Sequence, residues 1–443
     1  MNVSPSIQVG IISAKSLRVF FHGKYSVEKD RCACGWQDIT CSSDRIICHE
    51  QEYRELIFTP NTSDSVFTLS DVLIGVSFHW QKSEAQTFSG QLKIIINSDN
   101  LQVINIVPVE DYLVSVISSE MSAASSIEFL KAHAVISRSW ALAQIKSTAS
   151  SDTRKMPHGS VMFGVEHDIV HRQIRWYNHE DHTLFDVCAD DHCQRYHGIT
   201  RICTPLSSEA VHATCGMVLC DDFGNICDTR FSKCCGGITE EYETCWENIH
   251  KDYLPSKRDT SSPHNNTPDL TSEDNARRWI MSSPDSFCNT TDIKVLNQVL
   301  NRFDFETHDF YRWTVVYEQA ELSELVKRRS GIDFGLITDL IPVRRGKSGR
   351  ISELRIVGEK RSVIIGKELE IRRVLSTSHL LSSAFVVDKK MDKSSSIFVL
   401  HGAGWGHGVG LCQIGAAIMG ETGYDYKEIL MHYYPNTTIC KMY

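Results

Sequence analysis

Residues 110–145 read "EDYLVSVISSEMSAASSIEFLKAHAVISRSWALAQI" and contain the clearest helical pattern of the chain. Leu113, Val116 and Ile117 follow the i, i+3, i+4 spacing of one helical face. A run of serines and alanines then interrupts the pattern, and a second, longer apolar helix follows it. The stretch therefore predicts a helical pair, with one carboxylate, Glu120, at the break between the two helices.

The second helix is predicted to be buried, because its apolar residues cover two adjoining faces: Phe129, Ala132, Ile136, Trp140 and Ala143, and beside them Leu130, Ala134 and Ala141. Ser125 and Glu128 have the spacing of a capping box at its start. Arg138 lies inside the apolar pattern, and a buried guanidinium needs an acceptor. We expect either backbone carbonyls or a carboxylate near a cleft, and the second case makes Arg138 a candidate substrate-binding residue.

Outside the helical pair the sequence favours strands. Short β-rich stretches separated by turn residues fill positions 1–108, so a mostly antiparallel region is expected there. A later helix is predicted to end at Gly331, before strands at "ISELRIVG" and "RSVIIG". The predicted fold class is α+β, with antiparallel β-rich regions around a buried helical pair. The predicted division is a β-rich region (1–108), a core (109–250), a polar linker or insertion (251–300) and a C-terminal part of the core domain (301–443).

Charge and composition argue against two classes of partner. The 443 residues carry a formal charge of −9, which provides no broad positive field for nucleic acid. No apolar run approaches the roughly 18 residues that a membrane span needs. The opening segment has two short apolar runs, divided by Lys15 and Arg18, which indicates two strands and not a signal peptide.

Sixteen cysteines are many for a chain that is too long to be a disulfide scaffold. Several form close pairs in sequence, and adjacent cysteines rarely bridge each other, so we expect many free thiols. Four of them fall in a polar stretch whose spacing fits no familiar zinc pattern: Cys32, Cys34, Cys41 and Cys48. We interpret these four as loop thiols.

Residues 182–193, "HTLFDVCADDHC", contain a candidate metal site. His182, Cys188, His192 and Cys193 supply two imidazoles and two thiols within one short segment. Four nitrogen and sulfur ligands match the tetrahedral preference of zinc, and such a closed set is typical of a structural ion. The alternative is chance clustering in a chain rich in histidine and cysteine.

Residues 401–416, "HGAGWGHGVGLCQIGA", contain six glycines around three polar or aromatic candidates for ligand binding, Trp405, His407 and Gln413. The stretch lacks the lysine of a phosphate-binding loop, so phosphate is an improbable ligand. Glycines let the backbone approach a ligand closely, and an aromatic face beside a histidine and a glutamine suits a sugar. The alternative is a tight, buried turn.

Taken together, five segments resemble, in order, the motif blocks of the SpoIID family, the stage II sporulation proteins D, and of the related amidase enhancers. They read "VEDYLVSVISSEM…LKAHAVISRSWAL", "FDVCADDHCQRYHG", "CCGGITE", "RGKSGRI" and "GWGHGVGLCQIGAAIMGETGYDYKEILMHYYPNT". The resemblance covers about residues 105 to 439, and its last block is highly specific.

The resemblance implies a peptidoglycan lytic transglycosylase that cuts peptide-stripped glycan strands in a groove. It implies that Glu120 is the catalytic acid and that the family's metal motif falls on the four residues of segment 182–193, with one residue fewer in its second gap. It also implies the cell envelope as location, although no signal peptide precedes the fold. Two departures are Ser122, where the family often has proline, and Cys412, where it commonly has serine.

One carboxylate suffices for this reaction because the sugar's own 6-hydroxyl is the attacking group, whereas ordinary glycosidases need two acids. We expect Glu120 to have a pKa raised by a partly apolar setting, so that it can donate a proton and later accept one. Glu110, Asp111 and Glu128 lie at helix starts, where acids stabilise the helix, and we assign them structural tasks.

Two other functions remain open at this point. Related enhancers modulate an amidase, so the chain is alternatively a non-catalytic, glycan-binding modulator of a cell-wall amidase. A cysteine hydrolase with Cys412 as nucleophile and His407 as base is a third reading. A small, buried thiol explains Cys412 more simply.

Overall fold

The computed structural model describes residues 4–28, 31–42, 44–75, 81–121, 125–149, 171–177, 182–190, 192–201, 205–262, 267–300, 309–392 and 395–443. Its fold is α+β, as predicted, and most strand pairs are antiparallel. The predicted division into four parts and the predicted groove stay predictions.

The strands of the N-terminal β-rich region belong to one sheet. Its strands are β1 (Ser6–Ala14), β2 (Ser16–Glu28), β3 (Arg31–Ser42), β4 (Arg45–Cys48), β5 (Gln51–Tyr53), β6 (Glu55–Pro60), β7 (Val66–Ile74), β8 (Lys82–Ser89), β9 (Gln91–Asn97) and β10 (Asn100–Pro108). The order along the main path is β1-β10-β9-β6-β2-β3-β4-β5, and β7 joins β2 to β8. Alternate positions of these strands are buried, which is the pattern of a sheet with one covered face.

The four N-terminal cysteines are not in a loop, so that interpretation was wrong. Cys32, Cys34 and Cys41 lie on β3, and Cys48 ends β4, which pairs with β3. The polar residues between them mark the exposed face of a hairpin, because exposed and buried positions alternate along β3.

The helical pair is present where the sequence predicts it: α1 (Val109–Glu120) follows β10 directly, and α2 is Ile127–Ala149. Both helices are buried, and α1 packs against β1, β10 and α2. The predicted capping box of Ser125 and Glu128 is wrong, because the serine that caps the helix is the next residue. Ser126 caps α2 by accepting a bond from the Phe129 amide at 3.4 Å, while the Ser125 hydroxyl donates to the Gln298 carbonyl at 3.2 Å.

Short elements fill the next part of the chain. They are β11 (His171–Ile174), β12 (Val187–Cys188), α3 (Pro205–Ala213), β13 (Met217–Cys220), β14 (Phe231–Ser232), α4 (Tyr242–Cys245), α5 (Glu273–Met281) and α6 (Ile293–Val299). β12 adds to the first sheet by pairing in parallel with β1. Within the predicted polar linker or insertion (251–300), Asp259, Leu270 and Ala276 have no exposed surface.

The C-terminal elements are β15 (Arg312–Glu318), α7 (Gln319–Ser330), β16 (Ile337–Arg345), β17 (Ile351–Gly358), β18 (Ser362–Gly366), α8 (Glu368–Val374), β19 (Phe385–Asp392), β20 (Ser395–Ala403), β21 (Leu411–Cys412), α9 (Gln413–Glu421), α10 (Tyr426–Tyr433) and β22 (Thr438–Lys441). As predicted, α7 ends at Gly331, whose φ of 75° suits glycine. Small sheets β11-β18-β17-β16 and β15-β20-β19 surround α7 and α8.

Two large apolar clusters support these layers. The first contains the inner face of the N-terminal sheet, the helical pair and, from the far end of the chain, Leu411, Ile414 and Leu430. The second lies between the C-terminal sheets and helices α7 and α8. None of the helices that the structure describes has the length and apolarity to cross a membrane.

Candidate functional site

Glu120 is the last residue of α1 and is almost fully buried, with 7% of its surface exposed. Its Oε1 accepts a hydrogen bond from the backbone N–H of Arg195 at 3.2 Å. Arg195, Lys233 and His133 are the side chains that act on its charge most strongly. The carboxylate is therefore held among donors and cations.

The expectation of a raised pKa for Glu120 is wrong. Burial raises this pKa, but Arg195 and Lys233 outweigh burial and leave the value below that of an ordinary glutamate. The sequence around the helix break contains only small and apolar residues, so it indicated desolvation and hid the cations that approach from elsewhere. Glu120 is ionised at neutral pH in the free protein.

His133 belongs to α2, lies beside Glu120 and is fully buried. Its Nδ1 lies 3.1 Å from the Ser137 hydroxyl, and its Nε2 lies 3.1 Å from Nε2 of Gln413. Burial lowers the pKa of His133 to about 4, so the imidazole is neutral at physiological pH. Sequence analysis missed this residue because a histidine inside an apolar helix looks like ordinary core.

The structure brings the four predicted metal ligands together. Ligand atoms of His182, Cys188, His192 and Cys193 all lie within 4.8 Å of one another. His182 Nε2 is buried and, among the described residues, has no hydrogen-bond partner. Two thiols and two imidazoles with an unpaired nitrogen fit a zinc ion in tetrahedral coordination.

This segment is connected directly to Glu120. Arg195, whose amide binds the carboxylate, follows Cys193 by two residues. Gln194 between them is 1% exposed and accepts a bond from the Tyr112 hydroxyl of α1 at 3.3 Å. Fixing the metal ligands therefore also fixes the donor that orients Glu120.

The glycine-rich block packs against other segments of the protein. Its glycines were expected to let the backbone approach a ligand. A Cβ on Gly408 would lie 2.4 Å from Cζ of Arg350, and one on Gly410 would lie 2.1 Å from the Arg230 carbonyl. Both glycines have a positive φ, 75° and 70°. The glycines thus allow close approach of buried chain, which is the tight-turn alternative.

Three of the five motif blocks meet in space around Arg350 and Glu240. Arg350 is fully buried and donates to the carbonyls of Cys235 at 3.2 Å and Gly406 at 3.0 Å. Glu240 has no exposed surface and accepts bonds from the amide and hydroxyl of Ser348, at 3.1 and 2.7 Å. The "CCGGITE", "RGKSGRI" and glycine-rich segments therefore form one connected unit.

Arg138 and Gln413, two of the predicted substrate-binding residues, are buried. Arg138 binds Glu110 through two bonds of 2.8 and 2.7 Å and also donates to the Met217 carbonyl at 3.0 Å. Gln413 is 1% exposed and contacts His133. These contacts support positioning tasks, and direct contact of either residue with a substrate stays a prediction.

Trp405 and His407 are partly exposed. The Trp405 backbone pairs with Cys234 through bonds of 2.8 and 3.0 Å, and the His407 ring meets the Trp246 ring edge-on at 4.8 Å. The Arg230 guanidinium lies over the same Trp246 ring, with its Cζ 4.5 Å from the ring centroid. Burial and the nearby Arg230 lower the pKa of His407, so this imidazole is neutral.

Cys412 has no exposed surface and lies at the start of α9. Its sulfur accepts a bond from the Cys235 amide at 3.2 Å, and burial raises its pKa to about 11. His407 uses Nδ1 to accept the Val409 amide at 3.0 Å. A thiol with no exposed surface cannot reach a substrate, so the geometry favours the small buried thiol over the cysteine-hydrolase reading.

Comparisons with known proteins agree with the motif blocks. Residues 97–220 match the family model described as Stage II sporulation protein, and residues 240–410 match a domain of unknown function. An uncharacterized protein of Brachyspira hyodysenteriae is 26% identical over 352 residues, which are 80% of this chain and 72% of that protein.

Two relatives have functional names. The amidase enhancer of Bacillus subtilis is 25% identical over 340 residues, 74% of this chain and 40% of the enhancer. Stage II sporulation protein D of Bacillus amyloliquefaciens is 24% identical over 347 residues, 78% of this chain and 77% of that protein. Together with the match at 97–220, these relatives support a likeness of this chain to the SpoIID and amidase-enhancer family.

Proposed function

We propose that this protein is a lytic transglycosylase of peptidoglycan, in which Glu120 cleaves glycan strands between N-acetylmuramic acid and N-acetylglucosamine. Similarity to the SpoIID and amidase-enhancer proteins supports a role related to the cell wall. The observation that carries the proposal is the isolated, buried Glu120 carboxylate, oriented by the Arg195 amide and flanked by Lys233. The glycan is expected to be stripped of its peptides, and the cell envelope is where such a substrate is found.

The other acids of the helical pair are engaged elsewhere, which favours a mechanism with one carboxylate. Glu110 pairs with buried Arg138, and Glu128 binds Lys131 at 2.7 Å. Asp111 is exposed, and His212 acts on its charge. None of these interactions involves Glu120.

The reaction needs one proton to move twice. Protonated Glu120 gives its proton to the glycosidic oxygen while the bond from that oxygen to the muramic C1 breaks. The muramic 6-hydroxyl attacks C1 and returns its proton to Glu120, so a 1,6-anhydro ring forms and no water is incorporated. Ser119 Oγ and Gln194 Nε2 are buried next to Glu120 and Arg195 without partners among the described residues, and they are available to a ligand.

Zinc bound by His182, Cys188, His192 and Cys193 would supply a structural cross-link. Those residues hold the Arg195 amide in place, and the amide in turn orients the Glu120 carboxylate. The chain's own groups perform the proton transfers.

The test is Glu120→Gln, assayed on denuded glycan strands with mass analysis of the products. The amide keeps the shape of the side chain but cannot deliver a proton, so we expect cleavage to fall by about 10² or more. Folding, metal content and glycan binding should be unchanged. The matched control is Glu128→Gln, because Glu128 is a partly exposed acid of the same helical pair.

Wild-type products should end in 1,6-anhydro-N-acetylmuramic acid. Reducing ends that carry ¹⁸O from labelled water would show hydrolysis and refute the mechanism. A second candidate function is suggested by the amidase-enhancer relative, namely non-catalytic modulation of an amidase. If the wild-type protein binds glycan without cleaving it and stimulates an amidase, and the Glu120→Gln variant does the same, the modulator reading is correct.

A further inference from the structure

A second cluster of metal-ligating side chains lies outside the predicted site. Cys235, Asp259, Cys288 and Cys412 are all buried, and each has at most 2% of its surface exposed. Their ligand atoms all lie within 4.8 Å of one another. These four residues, here called the inner cluster, come from segments that are far apart in sequence, so the fold has assembled them.

The spacing within the inner cluster fits a tetrahedral ion. Cys235 Sγ lies 3.6 Å from Cys288 Sγ and 3.4 Å from Asp259 Oδ2. Ligands held about 2.3 Å from zinc by sulfur and about 2.1 Å by oxygen lie roughly 3.5 to 3.8 Å apart at tetrahedral angles. The observed separations therefore match a coordination sphere of three thiolates and one carboxylate.

Two residues outside the inner cluster, His432 and Tyr433, fix the orientation of Asp259. The Tyr433 hydroxyl donates to Asp259 Oδ1 at 2.8 Å, and His432 Nε2 lies 3.5 Å from the same oxygen. Oδ2 is left to face the thiols. Gly415 leaves room for Oδ2 of Asp259, because a Cβ at position 415 would lie 2.6 Å from that oxygen. Such outer contacts are typical of metal ligands.

The chemistry of the inner cluster also calls for a cation. A carboxyl group with no exposed surface among three buried thiols carries a large desolvation penalty if it is ionised alone. Among the described residues, no lysine or arginine forms an ion pair with Asp259. A divalent ion bound to three thiolates and one carboxylate offsets two of their four negative charges, and soft sulfur ligands favour zinc.

We propose that Cys235, Asp259, Cys288 and Cys412 bind one zinc ion, in a second structural site separate from the His182–Cys193 site. The ion would tie together four chain segments behind the candidate active site. Cys412 precedes Gln413, which contacts His133, and Cys235 follows Lys233 by two residues. The second site would thus support two neighbours of Glu120 without contacting a substrate.

The first test is the zinc content of the full-length protein, purified under reducing conditions and measured by mass spectrometry. We expect about two equivalents per chain. Cys288→Ser should lose one of them and Cys193→Ser the other. Cys227→Ser is the matched control, because Cys227 is 1% exposed and lies outside both clusters, so this variant should keep both ions.

A second measurement uses the unmodified protein, so that it does not depend on variants that fold poorly. Cobalt(II) exchanged into the wild-type chain should give sulfur-to-cobalt charge-transfer absorption for about five thiolates, three in the inner cluster and two in the first site. Zinc content of one equivalent, unchanged in Cys288→Ser, would overturn the proposal. Fewer than sixteen titratable thiols in the metal-free, unfolded and unreduced chain, restored by reductant, would show disulfide pairing and also overturn it.

Discussion

At the scale of the single residue, the charge around Glu120 determines how the reaction depends on pH. The acid step requires protonated Glu120, but Lys233 and Arg195 keep its pKa below the ordinary value. The cleavage rate should therefore rise as the pH falls from neutrality. Lys233→Met removes one cation, raises the pKa of Glu120 and moves the decline in kcat/KM to higher pH. The pH profile of kcat/KM on glycan strands measures this shift.

The control for that experiment is Lys327→Met on α7, because the Lys327 side chain is 49% exposed and forms an ion pair with Asp333, a surface aspartate. This variant should keep the wild-type profile. If the Lys233→Met profile also coincides with that of the wild type, the cation does not set the protonation of Glu120.

Individual site residues differ in how far the sequence predicts them. Glu120 was identified through a motif block, but its charge environment depends on Arg195 and Lys233, which are 75 and 113 residues away. The sequence does predict that Arg138 needs an acceptor, and the fold provides both a carboxylate and carbonyls. The hydrophobic pattern of one helix indicates which of its residues are buried. The pKa of a buried carboxyl group depends on the charges that other segments bring close to it.

At the scale of the element, the glycine-rich block is fixed by contacts that only glycine permits. Gly408→Ala puts a methyl group into the Arg350 guanidinium, 2.4 Å from Cζ, at a φ of 75°. Gly423→Ala is the matched control, since its φ is 99° and nothing lies within 4 Å. The control should lose only about 1 to 2 kcal/mol of stability, from the left-handed backbone. Gly408→Ala should lose clearly more, measured by thermal unfolding, and equal losses would refute the packing role.

Elements with strong local signals were predicted well. The helical pair, the stop of α7 at Gly331 and the strands around residue 355 all follow from periodicity and end signals. Inside the predicted polar linker or insertion (251–300), the apolar residues are scattered among polar ones, so the local pattern does not indicate which residues are buried. Asp259 and Leu270 are buried by contacts with distant segments, which no local pattern reveals.

At the scale of the whole molecule, the first apolar cluster joins the two ends of the chain. Leu411, Ile414 and Leu430 from the C-terminal part pack with the helical pair and the N-terminal sheet. β21 also pairs in parallel with β14, and α9 contacts α2 and α6. Cys245, Val299 and Val409, which lie within the match at 240–410, belong to the same apolar cluster as the helical pair within the match at 97–220.

This shared core predicts that residues 1–300 cannot fold alone. A fragment of residues 1–300 lacks β21 and α9, so it exposes the apolar surface of α2 and α6 that these elements cover. Expressed alone, it should aggregate or unfold without a cooperative transition. Co-expression with residues 309–443 should restore soluble material that unfolds in a single step by circular dichroism, because the two pieces together contain every element of the first cluster. A fragment 1–300 that is soluble by itself, unfolds cooperatively and cleaves glycan would show that the C-terminal part is dispensable for this core.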